Sequence, residues 1–278
     1  MALSEDPSKA SLPAPGHSFS SLVSVMQKLL DPGGCPWDQE QTLASLRPYL
    51  IEECAEVLDA IEMGQPSDHC EELGDLLMQI VFHAQIRQAE GAFSIDDVIA
   101  GIREKLIRRH PHVFSDGSAA DADEVLVQWE AIKLEEKKAR GQISTRALDG
   151  VPVALSPLAR AQALSKKAAK VGFDWPDIAG CRAKIDEELS ELDVAMAAND
   201  HDSIAEELGD LMFATVSLAR KLKCNADMSL RDTITKFVRR FEYIESSLES
   251  QGQRVEDAEA SELDRLWNEA KITPKNPQ

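Results

Sequence analysis

A set of four carboxylates occurs twice in this chain at the same spacing. Glu53 and Glu56 lie three residues apart in EECAE, and Glu72 and Asp75 three apart in EELGDLL; adding 135 to each number gives Glu188, Glu191, Glu207 and Asp210, in EELSE and EELGDLM. Residues three apart share a helix face, so each pair projects from one side of its helix. Bringing two such pairs together is costly, because four carboxylates in a small volume repel and take up protons. A bound cation reverses that sign. Ligation by carboxylate oxygens suits Mg²⁺, with Mn²⁺ as a substitute, and leaves room for water and phosphate oxygens. A solvated acidic face would explain one pair, but two pairs at one separation in both halves are hard to assign to solubility. Redox iron is disfavoured: di-iron carboxylate bundles use Glu-x-x-His, and none of the six histidines follows a Glu at that spacing.

Basic residues recur as well. Lys105, Arg108 and Arg109 (KLIRR) reappear as Lys236, Arg239 and Arg240 (KFVRR), and Lys184 sits one turn before Glu188. Facing a bound cation, such a cluster reads as a phosphate clamp. The other reading is a helix-dipole partner or surface charge. Trp129 and Trp267 offer rings that can stack a base or simply fill a core. The chain has no candidate covalent nucleophile and no GxxxxGK[ST] phosphate loop.

The elements that must position these residues are helices. Leu50, Ile51, Cys54, Val57, Leu58 and Ile61 form one apolar stripe, and Leu73, Leu76, Leu77, Ile80, Val81 and Ala84 a second. Gly64 and Pro66 break the chain between them, which predicts an antiparallel hairpin. Further helices are expected at about Phe19–Leu30, Ser94–Arg109 and Asp123–Lys138. In the second half they are expected at about Leu158–Ala169, Cys181–Ala198, Ser203–Leu222, Leu230–Glu249 and Ala258–Lys271. Trp37 and Trp129 map onto Trp175 and Trp267 with a shift of 138, so the repeat is a gene duplication. The expected organisation is all-α: a disordered tail over 1–18, a helical domain over 19–139, a linker over 140–157 rich in Gly and Pro, and a second helical domain over 158–278.

Charge and composition exclude other classes. The 278 residues carry 30 Lys and Arg against 49 Asp and Glu, a net charge of −19. That excess repels a phosphate backbone, so a nucleic-acid polymer is not the expected partner. The apolar runs are far shorter than the roughly 20 residues that span a bilayer. Five cysteines without C-x-x-C spacing read as reduced thiols in the cytoplasm.

The motifs together resemble a known family. GCPWDQEQTLASLRP (Gly34–Pro48) followed by YLIEECAEVLDAI, RRHPHVF (Arg108–Phe114), VGFDW (Val171–Trp175) and the doubled EExxE…ExxD are similar to the MazG nucleoside triphosphate pyrophosphohydrolases, over roughly residues 19–272. The resemblance implies an all-α, Mg²⁺-dependent homodimer that converts several ribo- and deoxyribonucleoside triphosphates to monophosphate and pyrophosphate. It also implies roles. Glu188, Glu191, Glu207 and Asp210 are the expected metal ligands, with Glu53, Glu56, Glu72 and Asp75 their first-half equivalents. Glu187, Glu188 and Glu191 are the expected catalytic carboxylates; Glu187 either accepts the proton of the attacking water or orients it. Lys184, Lys236 and Arg240 are expected at the triphosphate and Trp267 near the base. The first half departs at Tyr49, which stands where Lys184 is and removes a cationic donor. The competing class is a helical scaffold that senses nucleotide, or regulates through it, with little turnover.

Overall fold

The computed structural model describes residues 18–139, 141 and 146–272. Those residues form helices and turns, with no strand among them. The chain is therefore all-α, and it divides into two compact units, Met1–Gly141 and Gln142–Pro277. The expected N-terminal tail, apart from Ser18, and residues 140 and 142–145 of the expected linker lie outside the described residues.

The first unit contains α1 (Phe19–Leu30), α2 (Pro36–Gln39), α3 (Arg47–Met63), α4 (Pro66–Ala89), α5 (Ile95–Arg109), α6 (Pro111–Phe114) and α7 (Ala122–Ala139). Local chemistry sets the boundaries. The Ser18 hydroxyl accepts from the Ser21 amide at the start of α1, and Ser94 with Asp97 forms a reciprocal capping box on α5. Gly64 ends α3 at φ +78°, a conformation that costs a residue with a Cβ. Two residues later Pro66 opens α4, and α3 and α4 pack against each other as the expected hairpin. The core joins Met26 of α1 and Leu46 to Val81 and Phe82 of α4.

The second unit repeats the plan with α8 (Pro157–Lys170), α9 (Ile178–Ala198), α10 (His201–Lys221), α11 (Ala226–Glu249), a 3-10 turn at Val255–Asp257 and α12 (Ala260–Ile272). Asn199 in the left-handed region ends α9, and Asp200 caps α10 through the amides of Asp202 and Ser203. The resulting α9–α10 hairpin is the counterpart of α3–α4, and α8 packs on α10 and α11. Ile244 and Leu248 of α11 close a core against Leu266 of α12. The helices anticipated from periodicity are all present with ends shifted by a few residues. The short α2 and α6 are additions, one turn each and too brief for a period to reveal.

Not every apolar stripe is covered. Ile51, Ile61, Leu73, Leu77 and Ile80 are exposed in the first unit, and so are Leu208 and Met212, the register equivalents of Leu73 and Leu77. On α11, Leu230, Ile234, Phe237, Val238 and Phe241 form a similarly open row.

Leu248 is fully buried (0% exposed) between α11 and α12. Leu248→Ala should lower the stability of the second unit by about 2–5 kcal/mol, the range for a buried leucine leaving a cavity. Chemical denaturation would measure it, and an unchanged midpoint would remove Leu248 from the core.

Candidate metal and phosphate site

In the second unit the α9–α10 hairpin gathers the carboxylates. Glu188, Glu191 and Glu207 each place an oxygen within 4.8 Å of the others. Glu188 is only 3% exposed. Its partner is Lys184, whose Nζ lies 2.7 Å from Glu188 Oε1 and 3.0 Å from Glu187 Oε1. These contacts, with Glu188 the stronger, drive the ammonium well above the ordinary lysine range. Among the described residues Glu207 has no such ammonium against it. Desolvation, then repulsion from Glu191, Glu188 and Asp210, raises its carboxyl above the ordinary value. Asp210 lines a cavity of about 180 Å³ together with Trp175, Lys184, Glu188, Phe213 and Ala214. All-oxygen donors that repel one another and keep one ammonium nearby fit a hard divalent cation and an anionic ligand.

The first unit brings its set together differently. Glu53, Glu56 and Glu72 meet the same 4.8 Å criterion, and Asp75 repels both Glu53 and Glu72. Glu53 accepts a hydrogen bond from Gln79 Nε2 at 3.4 Å. Desolvation raises the Glu53 carboxyl, the Gln79 bond opposes that shift, and Asp75 and Glu56 add to it. Gln79 is buried, with its Oε1 lacking a hydrogen-bond partner. By the 135-residue register it stands where Ala214 stands in the second unit. Tyr49, in place of Lys184, packs edge to face on Trp37 at 5.9 Å. A neutral amide and a phenol thus replace a methyl group and an ammonium.

The two basic clusters also diverge. Arg108 and Arg109 both pair with Glu136 on α7, whose carboxyl is held at about 2, chiefly by Arg109. Arg109 also lies over the Trp129 ring at 5.4 Å. These arginines join α5 to α7. In the second unit Arg240 lies over Trp267 at 5.5 Å and Phe237 meets the same ring at 5.4 Å. Among the described residues, Arg240 Nε is buried without a hydrogen-bond partner. The 138-residue register places Pro274, outside the described residues, where Glu136 stands. Lys236 and Arg240 lie on α11 and Trp267 on α12, and none of them lines the carboxylate cavity.

Trp175 and Phe213 do line it, and neither is among the site residues expected from the sequence. Trp175 was visible there as a repeat marker, but its place on the cavity wall depends on how the α8–α9 loop packs. That loop is fastened at Asp174, which pairs with Arg220 and, at 2.8 Å, with Lys221. The Arg220 hydrogen bond comes first among the causes that hold the Asp174 carboxyl at about 2. Arg220 Nε also donates to Ser165 at 2.8 Å, and Ser165 lies 3.3 Å from the buried Ser217 hydroxyl. Gly180 allows the indole to lie on α9, since a Cβ there would come within 3.1 Å of Trp175 Cδ1.

Comparison with known proteins places the chain in a family. A family model described as the MazG nucleotide pyrophosphohydrolase domain matches residues 41–114 and again 179–243, once in each unit. The chain is 45% identical over 258 residues to the nucleoside triphosphate pyrophosphohydrolase of Escherichia coli (strain K12), covering 92% of this chain and 97% of that protein. It is 44% identical to the nucleoside triphosphate pyrophosphohydrolase/pyrophosphatase MazG of Thermotoga maritima, covering 92% and 96%. Against the uncharacterized protein YabN of Bacillus subtilis the identity is 46%, over 93% of this chain and 53% of that one.

The Asp174 clamp has a pH signature. Its carboxyl titrates near 3.8 when unfolded and at about 2 when folded. Its stabilisation is therefore complete above about pH 4 and is lost as pH falls through about 2. Asp174→Asn should be less stable than the wild type at neutral pH, with the difference closing over that window in acid denaturation. A difference that stays constant from pH 5 to 2 would show that the carboxylate charge contributes nothing.

Proposed function

This chain belongs to the MazG nucleotide pyrophosphohydrolase family and is a nucleoside triphosphate pyrophosphohydrolase, and from that premise we propose that its second unit carries a Mg²⁺-dependent attack of water on the α-phosphorus. The products are nucleoside monophosphate and pyrophosphate. The observation that carries this reading is the set of Glu188, Glu191 and Glu207 on one hairpin, with Lys184 held against Glu188. Glu188, Glu191, Glu207 and Asp210 would hold the cation, Mg²⁺ or in its place Mn²⁺. When bound, it supplies neutralisation of phosphate charge and an acidified water. Glu187, exposed and one residue from Glu188, accepts the water's proton or orients it. Lys184 is placed to pass from its carboxylate partners to a phosphate oxygen. Lys236 and Arg240 supply further positive charge to the triphosphate, with Trp267 toward the base; the unpartnered Arg240 Nε supports that role.

The protein acts as a homodimer in this reading, which the open apolar rows on α10 and α11 support. A cytoplasmic setting is supported by five free cysteines. Among the described residues no helix is long and apolar enough to cross a membrane. The scaffold reading applies best to the first unit. Tyr49 and Gln79 leave its carboxylates without the ammonium that Lys184 supplies to Glu188. That unit binds a cation or nucleotide with little turnover.

Hydrolysis in ¹⁸O-water should label the monophosphate and leave pyrophosphate unlabelled. Chelation should abolish turnover and Mg²⁺ should restore it. Label in orthophosphate, or a diphosphate product, would move the attack site. Full activity after exhaustive chelation would remove the cation from the mechanism.

The two units are separated by one substitution in each. Glu188→Ala should cost at least about a hundredfold in kcat, since each 1.36 kcal/mol of lost transition-state stabilisation is about tenfold. Glu53→Ala should cost much less. Circular dichroism must first show both variants to be helical. The reverse order of effects would assign catalysis to the first unit.

A further inference from the structure

The cavity beside the second carboxylate set has two kinds of lining. Lys184, Glu188 and Asp210 are charged, whereas Trp175, Phe213 and Ala214 are apolar. A nucleoside triphosphate divides in the same way, into a charged phosphate chain and a flat base. Trp175 is half-buried and braced: its side chain lies on Gly180, and Arg220 and Lys221 hold the preceding Asp174. In the first unit the equivalent ring, Trp37, is engaged edge to face by Tyr49. Lys184 replaces that partner here, and among the described residues no other aromatic ring contacts Trp175. The Trp267 ring meets Phe237 and Arg240 and is not among the residues that line this cavity.

We propose that Trp175 is a nucleotide-binding residue, stacking its indole on the base of the bound nucleoside triphosphate from the wall of the cavity that holds Glu188 and Lys184. The proposal rests on the hydrolase reading above and adds an aromatic contact on the α8–α9 loop. Asp174, Arg220, Lys221 and Gly180 are then positioning residues, which act by fixing the indole. An aromatic face accepts any base, since every base has a π-face. The contact therefore adds affinity for nucleotides over inorganic polyphosphates without selecting among bases.

The test uses the full chain with Mg²⁺ and two probes, an α,β-imido nucleoside triphosphate and inorganic tripolyphosphate, which has no base. Trp175→Leu keeps an apolar wall without a π-face, and Trp175→Phe restores one. Trp175→Leu should bind the nucleotide about tenfold more weakly, with most of that loss recovered in Trp175→Phe. All three proteins should bind tripolyphosphate alike. With true substrate the loss should appear in KM and leave kcat nearly unchanged. In Trp267→Phe, the nucleotide but not tripolyphosphate should still protect indole fluorescence from acrylamide, and loss of that protection would remove Trp175 from the base. Unchanged nucleotide affinity in Trp175→Leu, or an equal loss for both probes, would overturn the proposal. So would a nucleotide loss confined to Trp267→Ala. Absence of monophosphate and pyrophosphate from the wild type would instead overturn the hydrolase reading on which the proposal stands.

Discussion

Mutual repulsion among carboxylates held a few ångströms apart is the constraint to which the rest of each unit answers. Isolated in water, such groups separate. Here they sit on paired helices that pack directly against each other, α3 on α4 and α9 on α10, so packing energy keeps the charges together. Desolvation first, and repulsion from the neighbouring carboxylates after it, raise the carboxyls of Glu53, Glu72 and Glu207. Short connections are part of the same solution. Gly64 with Pro66 in the first unit, and Asn199 with Asp200 in the second, return the chain at once. The two helices of each pair therefore cannot slide far relative to one another.

The duplicated units meet this constraint with different chemistry. In the second, an ammonium at 2.7 Å compensates the most buried carboxylate and remains half exposed at the cavity. In the first, Tyr49 stands at the lysine's position, and a buried amide from the facing helix gives Glu53 only a weak, uncharged hydrogen bond. An amide cannot neutralise a phosphate, and it is bulkier than the methyl of Ala214 at the same register position. Sequence identity in the acidic motif is thus compatible with different capacities, since function depends on the groups that face the carboxylates as much as on the carboxylates.

The arginines show the same divergence on the neighbouring helices. Glu136 binds both Arg108 and Arg109, which turns a basic motif into a joint between α5 and α7. Among the described residues, the buried Nε of Arg240 has no hydrogen-bond partner. A basic motif therefore has no fixed meaning: a single acid on the facing helix is enough to turn it into a structural joint.

The all-α class, the duplication, the α3–α4 hairpin and the long helices were legible in the sequence because they follow from local rules: a 3.6-residue period, capping side chains and breakers at Gly64 and Pro66. The acidic quartets were legible for the same reason, since residues three apart must share a face. Even the Gln79 and Ala214 difference could have been read by aligning the halves on their 135-residue register. What that difference does could not, because it depends on an atom of Gln79 reaching Glu53 across the hairpin. Trp175 and Phe213 likewise carry no local mark that separates a cavity wall from a core. Only the tertiary structure decided which residues border the carboxylates, and that arrangement arises from non-local packing of the α8–α9 loop, braced by Asp174 with Arg220 and Lys221, against α9 and α10.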